Sequence, residues 1–360
     1  MTSKAAIYQQ TGLFFTLTVD TTDQSRVGAS NTDQYSLPLQ DVSGIYSAIV
    51  VYNDEVIHTI NSSSDNLITF PDGGGIKTFE IRGRLKGIQH ANGGADNPKL
   101  LELKWGQCEF ANFNNLRDCP NLSKVSGVPN LSNTPVFAFV FQDTPSLLDI
   151  EDLNEYDVSG ITGATNQLFT RCPFNTFHGD WDTSQWTGKF RMYLEATNYN
   201  QPDNHDHTNV TNFNSYRFRN TAYNQVVNMH IPSATTLGLF MRECINQNKD
   251  INLTGTHNVS DYSAAFQGLS SFGDGGSGAT ISIESFEGAT NLSNMLFGTK
   301  LTTANIDQIL NQWVNTISTA TGLPMANFTT DLGGSIPSAQ GLLDIATLQG
   351  RGWTINNIGA

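Results

Sequence analysis

The chain has 360 residues, of which 38% are hydrophobic and only 14% charged, and its formal net charge is −14. That length holds two or three domains and a continuous core. The acidity argues against nucleic acid or an anionic membrane as partner, since both need a basic face, and reads as a device for solubility. Low charge with abundant Gly, Asn, Ser and Thr is common in extracellular and virion proteins. No stretch approaches the roughly 18 to 20 apolar residues that span a bilayer. The start, M-T-S-K-A-A-I-Y-Q-Q-T-G-L-F-F-T-L-T-V, has no A-x-A cleavage signal and no lipobox Cys, so ordinary secretion is not expected.

Residues 1 to about 97 read as short strands separated by polar turns. Leu13 to Val19, Ser47 to Tyr52, Val56 to Ile60, Leu67 to Phe70 and Thr78 to Ile81 are β-branched or aromatic runs, and Asn53-Asp54 reads as a tight hairpin turn. Strands at this spacing predict a small antiparallel sandwich. The loop His90 to Pro98 marks a boundary, and Leu100 to Trp105 starts the next region as a strand covering its first coil.

From Leu116 to about Leu301 one short unit recurs eight times, with apolar anchors at Leu116, Phe141, Phe169, Leu194, Phe218, Met241, Phe266 and Leu296. Steps in the twenties, and one of 30 at the end, are those of a solenoid of the leucine-rich-repeat kind, in which stacking makes the core. Three residues after the anchor stand Cys119, Thr144, Cys172, Thr197, Thr221, Cys244, Leu269 and Thr299. Cys alternating with Thr predicts a small buried slot and free thiols, with Cys108 unassigned. The tripeptide N-[LV]-[ST] at Asn121, Asn130, Asn209, Asn252, Asn258 and Asn291 is formally a glycosylation sequon. Its recurrence inside a repeat favours side chains that cap turn backbone. The insert G-D-G-G-S-G after Phe272 accounts for the longest step.

The tail predicts two helices. Thr303 to Ile317 puts Ile306, Leu310, Trp313 and Ile317 on one face, with Thr302 or Thr303 as N-cap. Ser338 to Leu348 repeats the pattern with Leu342, Ile345 and Leu348, and Gly350 stands at the expected C-cap. Trp353 to Ile355 reads as a closing strand, and the whole tail as a cap over the final coil.

These residues carry a family resemblance. Trp181-Asp182-Thr183-Ser184, Asn209-Val210-Thr211-Asn212 and Phe169-x-x-Cys172-x-Phe174-Asn175 resemble the start, middle and end of the BspA-like leucine-rich repeat of bacterial surface proteins. The front region resembles a PKD-like sandwich at His58-Thr59 and Phe79-Glu80-Ile81, and departs from it at Val51-Tyr52-Asn53-Asp54, where such domains carry W-G-D-G. The ending L-T-T-A-N-I-D-Q-I-L-N-Q-W…G-W-T-I-N-N resembles that of phage-encoded members. The expected fold class is therefore mainly β with short helices. It comprises a PKD-like β-sandwich over 1–97, a leucine-rich-repeat-type solenoid over 98–300 and a helical cap over 301–360.

Candidate chemistry is sparse. His205-Asp206-His207 has metal-ligand spacing but lies in the polar run Q-P-D-N-H-D-H-T, which favours a loop without a third ligand. Glu151, Asp152 and Glu155 form an acidic run that reads as a solvated face. Asp274 is the lone carboxylate of the glycine-rich insert. Neither a G-x-S-x-G elbow nor a phosphate-binding loop is present. The sequence assigns no catalytic, cofactor-binding or metal residue and no cofactor. Tyr156, Trp186, Tyr193, Tyr216 and Tyr262 are expected in the core, and any that face outward would be contact residues.

The expectation is a non-enzymatic virion surface protein of a tailed phage, in a tail fibre, as receptor-binding protein or as capsid decoration, assembled in the host cytoplasm. Its partners would be other virion proteins, a host surface protein or glycan and further copies of itself, without nucleic acid or membrane insertion. A bacterial cell-surface adhesin is the alternative. A polysaccharide-degrading virion enzyme is a third reading and needs two carboxylates roughly 5 to 10 Å apart.

Overall fold

The computed structural model describes residues 14–39, 46–85, 88–89, 94–106, 116–131, 138, 140–163, 165–173, 175, 181–188, 190–191, 195, 198–216, 219, 222–273, 278–317, 328–329, 336–353 and 355–356. The chain is mainly β, with two α-helices among the described residues. It divides into two compact units, residues 1–163 with 167–185, and 164–166 with 186–360.

The first unit is built on a six-stranded sheet in the order β4-β3-β6-β1-β7-β8. Its strands are β1 (Phe14–Asp20), β3 (Ser47–Tyr52), β4 (Glu55–Ile60), β6 (Ile76–Arg84), β7 (Leu100–Lys104) and β8 (Lys124–Ser126). Period-2 alternation sends Phe15, Leu17 and Val19 inward on β1, where Leu17 lies opposite Phe79 and Leu103. A short ribbon of β2 (Gln34–Ser36) and β5 (Leu67–Thr69) covers this face, with Tyr35 and Phe70 each packed on Phe79. Asn53 and Asp54 both take positive φ, 51° and 64°, as the two-residue turn between β3 and β4 requires.

β7 pairs antiparallel with β1 and parallel with β8, so one sheet carries the front strands into the first coil. The loop before it is locked from inside. The Lys99 ammonium is buried and donates to the carbonyls of Ser30, Asn31 and Gln34 at 2.9 to 3.1 Å and to Ser30 Oγ at 2.9 Å. Asp96, also buried, accepts from the Ser30 and Ser36 N–H groups. The coils that follow stack by backbone bonds: Leu116 N donates to Val140 O, and Phe141 N to Leu168 O. The Phe141 and Phe169 rings lie 5.7 Å apart and nearly parallel.

The second unit is built from coils of the same kind. Beyond the short pair β9 (Thr165–Asn166) and β10 (Phe190–Arg191), strands β11 (Val227–His230), β12 (Ile251–Thr254) and β13 (Ile281–Ile283) form a parallel sheet, Val227 beside Ile251 beside Ile281. Thr211, Thr235, Ser260 and Thr290 form a second column. Each donates its N–H and its hydroxyl to the carbonyl of Thr187, Thr211, Thr235 and Ser260 respectively. A side-chain hydroxyl here replaces the partner that a strand edge would supply.

A left-handed residue fixes the register of every coil. Asp118, Asp143, Arg171, Glu195, Arg219 and Glu243 have φ of 54° to 62°, and Gly268 and Gly298 follow at 75° and 68°. From Arg171 to Glu243 their step is constant, whereas the apolar anchors drift over the same stretch. A second left-handed residue precedes five of them by four positions, at Gln167, Ser215, Leu239, Ala264 and Asn294. Met241, Phe266 and Leu296 stand midway, as expected of anchors. The anchors Leu194 and Phe218, with Thr197 and Thr221, lie outside the described residues. Holding a residue with a side chain in this conformation costs roughly 1 to 2 kcal/mol. Arg171 pairs along the column with Asp143, and Arg219 with Glu243 and Glu195, whereas Asp118 pairs with Arg26.

The tail holds α1 (Thr303–Thr316) and α2 (Ala339–Gly350), N-capped by the Thr302 and Ser338 hydroxyls. Ile306, Ile309, Leu310 and Trp313 are buried, with the Trp313 ring 5.9 Å from both Phe286 and Trp353. On α2 the buried face runs through Gly341, Asp344, Ile345 and Leu348, so Leu342 is 45% exposed, against expectation. Gly350 is the last helical residue, and Gly352, with φ of 90°, makes the left-handed turn. β14 (Phe328–Thr329) pairs with β15 (Ile355–Asn356), so the closing strand starts at Ile355 rather than at Trp353.

Candidate functional site

On the parallel sheet of the second unit, Val227, Met229, Ile251, Leu253, Ile281 and Ile283 are buried, which turns Asn228, His230, Asn252, Thr254, Ser282 and Glu284 outward. These outward residues form two rows across the strands. Asn252 Nδ2 donates to Asn228 Oδ1 at 2.8 Å, and His230 Nδ1 lies 3.1 Å from Thr254 Oγ1. Glu284 accepts the Gly255 N–H, and His257 stands 3.6 Å from both Glu284 and Glu287. The Gly255 N–H first, then His257 and His230, hold the Glu284 carboxyl below its ordinary value. Chemically this face offers amide, hydroxyl, imidazole and carboxylate groups repeated at the strand spacing of about 4.8 Å.

In the first unit a groove of about 460 Å³ opens on the outward face of the sheet, lined by Thr16, Thr18, Thr78, Glu102, Lys104 and Lys124 among others. Of the acidic run, Glu151 pairs with Lys124 at 3.0 Å, and Asp152 accepts the Gly127 N–H at 3.2 Å; both border this groove.

The histidine motif lies in a stretch without regular secondary structure, as expected of a loop, but His205 and His207 are buried, and both meet the buried carboxylate of Asp203, which stands just ahead of the motif. His205 Nδ1 is 2.5 Å from Asp203 Oδ1, and His207 Nε2 is 3.2 Å from Asp203 Oδ2. Burial alone would raise the Asp203 carboxyl, but the attraction and hydrogen bonds of His207 and His205 outweigh it and hold it well below the ordinary carboxylate range. Asp206, between them in sequence, faces outward and accepts the Thr208 N–H. Among the described residues no group of three His, Cys, Asp or Glu side chains is arranged to hold a metal ion.

Tyr156, Trp186, Tyr216 and Tyr262 are all core residues; Tyr193 lies outside the described residues. Cys119, Cys172 and Cys244 are thiols buried in the same slot as Thr144 and Thr299, while Cys108 and Asp274 lie outside the described residues. The sequon asparagines act on the fold where their bonds are defined: Asn121 donates to Pro98 O and Asn258 to Pro232 O, one coil back. Among the described residues no helix is long and apolar enough to cross a membrane.

Short copies stacked through parallel strands and hydroxyl columns define a mainly β repeat protein. The chain belongs to the family described as Mycoplasma protein of unknown function, DUF285, which matches residues 112–230 and 203–313, together more than half its length. That membership loosely fits a BspA-like surface protein. Neither a curated protein nor a solved structure matches the chain.

Proposed function

We propose that this chain is a non-enzymatic surface protein of a tailed-phage virion, a fibre, receptor-binding or decoration protein that presents a leucine-rich-repeat-type solenoid for adhesion to a host protein or glycan. In this reading residues 1–97 are a PKD-like β-sandwich and residues 301–360 a cap. The observation that carries it is the outward face of β11, β12 and β13. Rows of Asn228 and Asn252, and of His230 and Thr254, present fixed polar groups to a ligand without ordering cost. The phage-like ending and membership in the DUF285 family support a surface role.

The test is binding of the full chain to host cells and to an array of bacterial surface glycans, with Asn228→Ala and Asn252→Ala as a paired variant. Loss of binding with unchanged melting supports adhesion through this face; undiminished binding refutes it. A bacterial cell-surface adhesin is the alternative, favoured by the Mycoplasma description of the family. Proteomics of purified particles separates the two. Release of oligosaccharides from host polysaccharide would replace both with an enzyme.

A further inference from the structure

The outward face of the first unit's sheet carries two charges that are not neutralised. Alternation along β1, β6 and β7 buries Leu17, Phe79 and Leu103 and turns Thr16, Thr18, Thr78, Glu102 and Lys104 to the other side. Thr18 stands opposite Glu102 and Thr16 opposite Lys104 across the β1–β7 pair, and the Thr18 and Thr78 hydroxyls lie 3.1 Å apart. Beyond β8 the chain turns at Gly127, with φ of 75°, where a Cβ would run into the Trp105 carbonyl oxygen. That turn, held by Asp152 through the Gly127 N–H, borders the groove of about 460 Å³ on this face. Its size is within the roughly 300 to 1,000 Å³ of small-molecule sites.

Of the charged residues that line the groove, three are already engaged. Lys124 pairs with Glu151 at 3.0 Å, and Asp152 accepts the Gly127 N–H. Glu102 and Lys104 remain. Both are exposed on one face of β7, two residues and about 6.6 Å apart along the strand. Glu102 faces Lys124 across the β7–β8 pair, but that ammonium is taken by Glu151. Neither the Glu102 carboxylate nor the Lys104 ammonium has an ion-pair or hydrogen-bond partner. An anion alone would meet Lys104 but also the field of a chain whose net charge is −14, and a cation alone would leave Lys104 unanswered. A ligand with both charges and no net charge answers both. The lining adds the hydroxyls of Thr16, Thr18 and Thr78, while its apolar member, Leu103, is buried. Hydroxyls that both donate and accept suit a hydroxylated ligand rather than the apolar side chains of a peptide.

We infer that this groove binds a glycan whose sugar carries both an ammonium and an acidic group. Glu102 takes the ammonium, Lys104 the acidic group, and the threonines beside them the ring hydroxyls. Hydrogen bonds assisted by charge are roughly twice as strong as neutral ones, so the two ends of the sugar set the selectivity. The groove lies in the first unit, whereas the adhesive face of β11, β12 and β13 lies in the second, and each site stands or falls without the other.

The probe is glucosamine 6-phosphate, which holds its ammonium and its phosphate on opposite sides of one ring, titrated into the full chain by ligand-observed NMR. N-acetylglucosamine 6-phosphate lacks the ammonium and glucosamine lacks the phosphate, and each should bind at least about tenfold more weakly. Lys104→Gln should bring glucosamine 6-phosphate down to the level of glucosamine, and Glu102→Gln to the level of the N-acetyl sugar. Both side chains are exposed, so these variants should melt like the native chain. 6-Aminohexanoate, a zwitterion without hydroxyls, should also bind at least about tenfold more weakly than the probe. The paired variant Asn228→Ala and Asn252→Ala should leave the titration unchanged. No binding of the probe at about 10 mM overturns the inference, as does equal binding of either analogue in the native chain. Equal binding of 6-aminohexanoate, or loss of binding in the paired asparagine variant, overturns it too.

Discussion

The last strand of the three-stranded parallel sheet ends in side chains. β13 has β12 along one edge; along the other, Asn305 Oδ1 accepts the Ile281 N–H at 2.9 Å and Asn305 Nδ2 donates to Ile281 O at 3.1 Å. Gln312 Nε2 donates to Ile283 O at 2.7 Å from two turns further along α1. Asn305 and Ile281 are both buried. Asn305→Leu keeps the volume and removes the amide, which strands one backbone donor and one acceptor. At roughly 1 to 3 kcal/mol for each unsatisfied group, the loss should be about 2 to 6 kcal/mol. Gln312→Leu strands one carbonyl, with a second lone-pair direction available, and should cost about 1 to 2 kcal/mol. Urea unfolding gives both values, provided the slope with denaturant is unchanged. An unpaired edge also invites another chain, so Asn305→Leu should self-associate at concentrations where the native chain does not. A variant within about 0.5 kcal/mol of the native chain would show that the amide is not what closes this edge.

Further outcomes test other parts of the fold. Trp313→Ala empties a buried site between Phe286 and Trp353 and should cost about 3 to 5 kcal/mol, read by melting, with adhesion of the folded fraction unchanged. Lys99→Met leaves the carbonyls of Ser30, Asn31 and Gln34 and the Asp96 carboxylate without their cation. We expect a loss of about 3 to 5 kcal/mol in denaturant unfolding of the first unit and faster proteolysis around residues 30–36. Burial pushes the Cys119 thiol well above its ordinary value of 9.0, so its contribution to stability is complete below that pH. Above it the unfolded thiol ionises while the folded one does not, and stability should fall as pH rises. Cys119→Ala should remove part of that fall, and a thiol reagent should reach Cys119, Cys172 and Cys244 only in denaturant.

Where local chemistry decides the structure, the sequence is a good guide. The alternation of Phe15, Leu17 and Val19, the turn at Asn53-Asp54 and the caps at Thr302 and Ser338 depend on a few adjacent residues, and all are present in the fold. The register of the coils is less legible because an apolar anchor is a side-chain signal, while stacking is fixed by backbone. The left-handed Arg171, Glu195, Arg219 and Glu243 keep a constant step that no shared residue type announces. Leu342 misleads for a related reason: three residues before Ile345 it fits a helical stripe, yet the packed face of α2 passes through Gly341, where the Asp307 carboxylate sits close against the helix. The buried histidines escape altogether. H-D-H in a run of polar residues has the texture of a loop, and only alignment with V-N-M-H-I one coil later shows an inward row.

The hydroxyl column of Thr211, Thr235, Ser260 and Thr290 has a consequence for how this chain could change in length. Each member asks only for a carbonyl one coil back, and Thr211, Thr235 and Ser260 offer their own carbonyls one coil forward. Such a join is indifferent to how many times it is made. Duplicating the stretch 211–234, one full step from Thr211 to the position before Thr235, would give the newcomer the same two seams that the original has. It would also leave α1 seated on the same final strand. Reach could thus be altered by whole coils without redesigning either neighbour, whereas inserting half a coil would misalign every later seam.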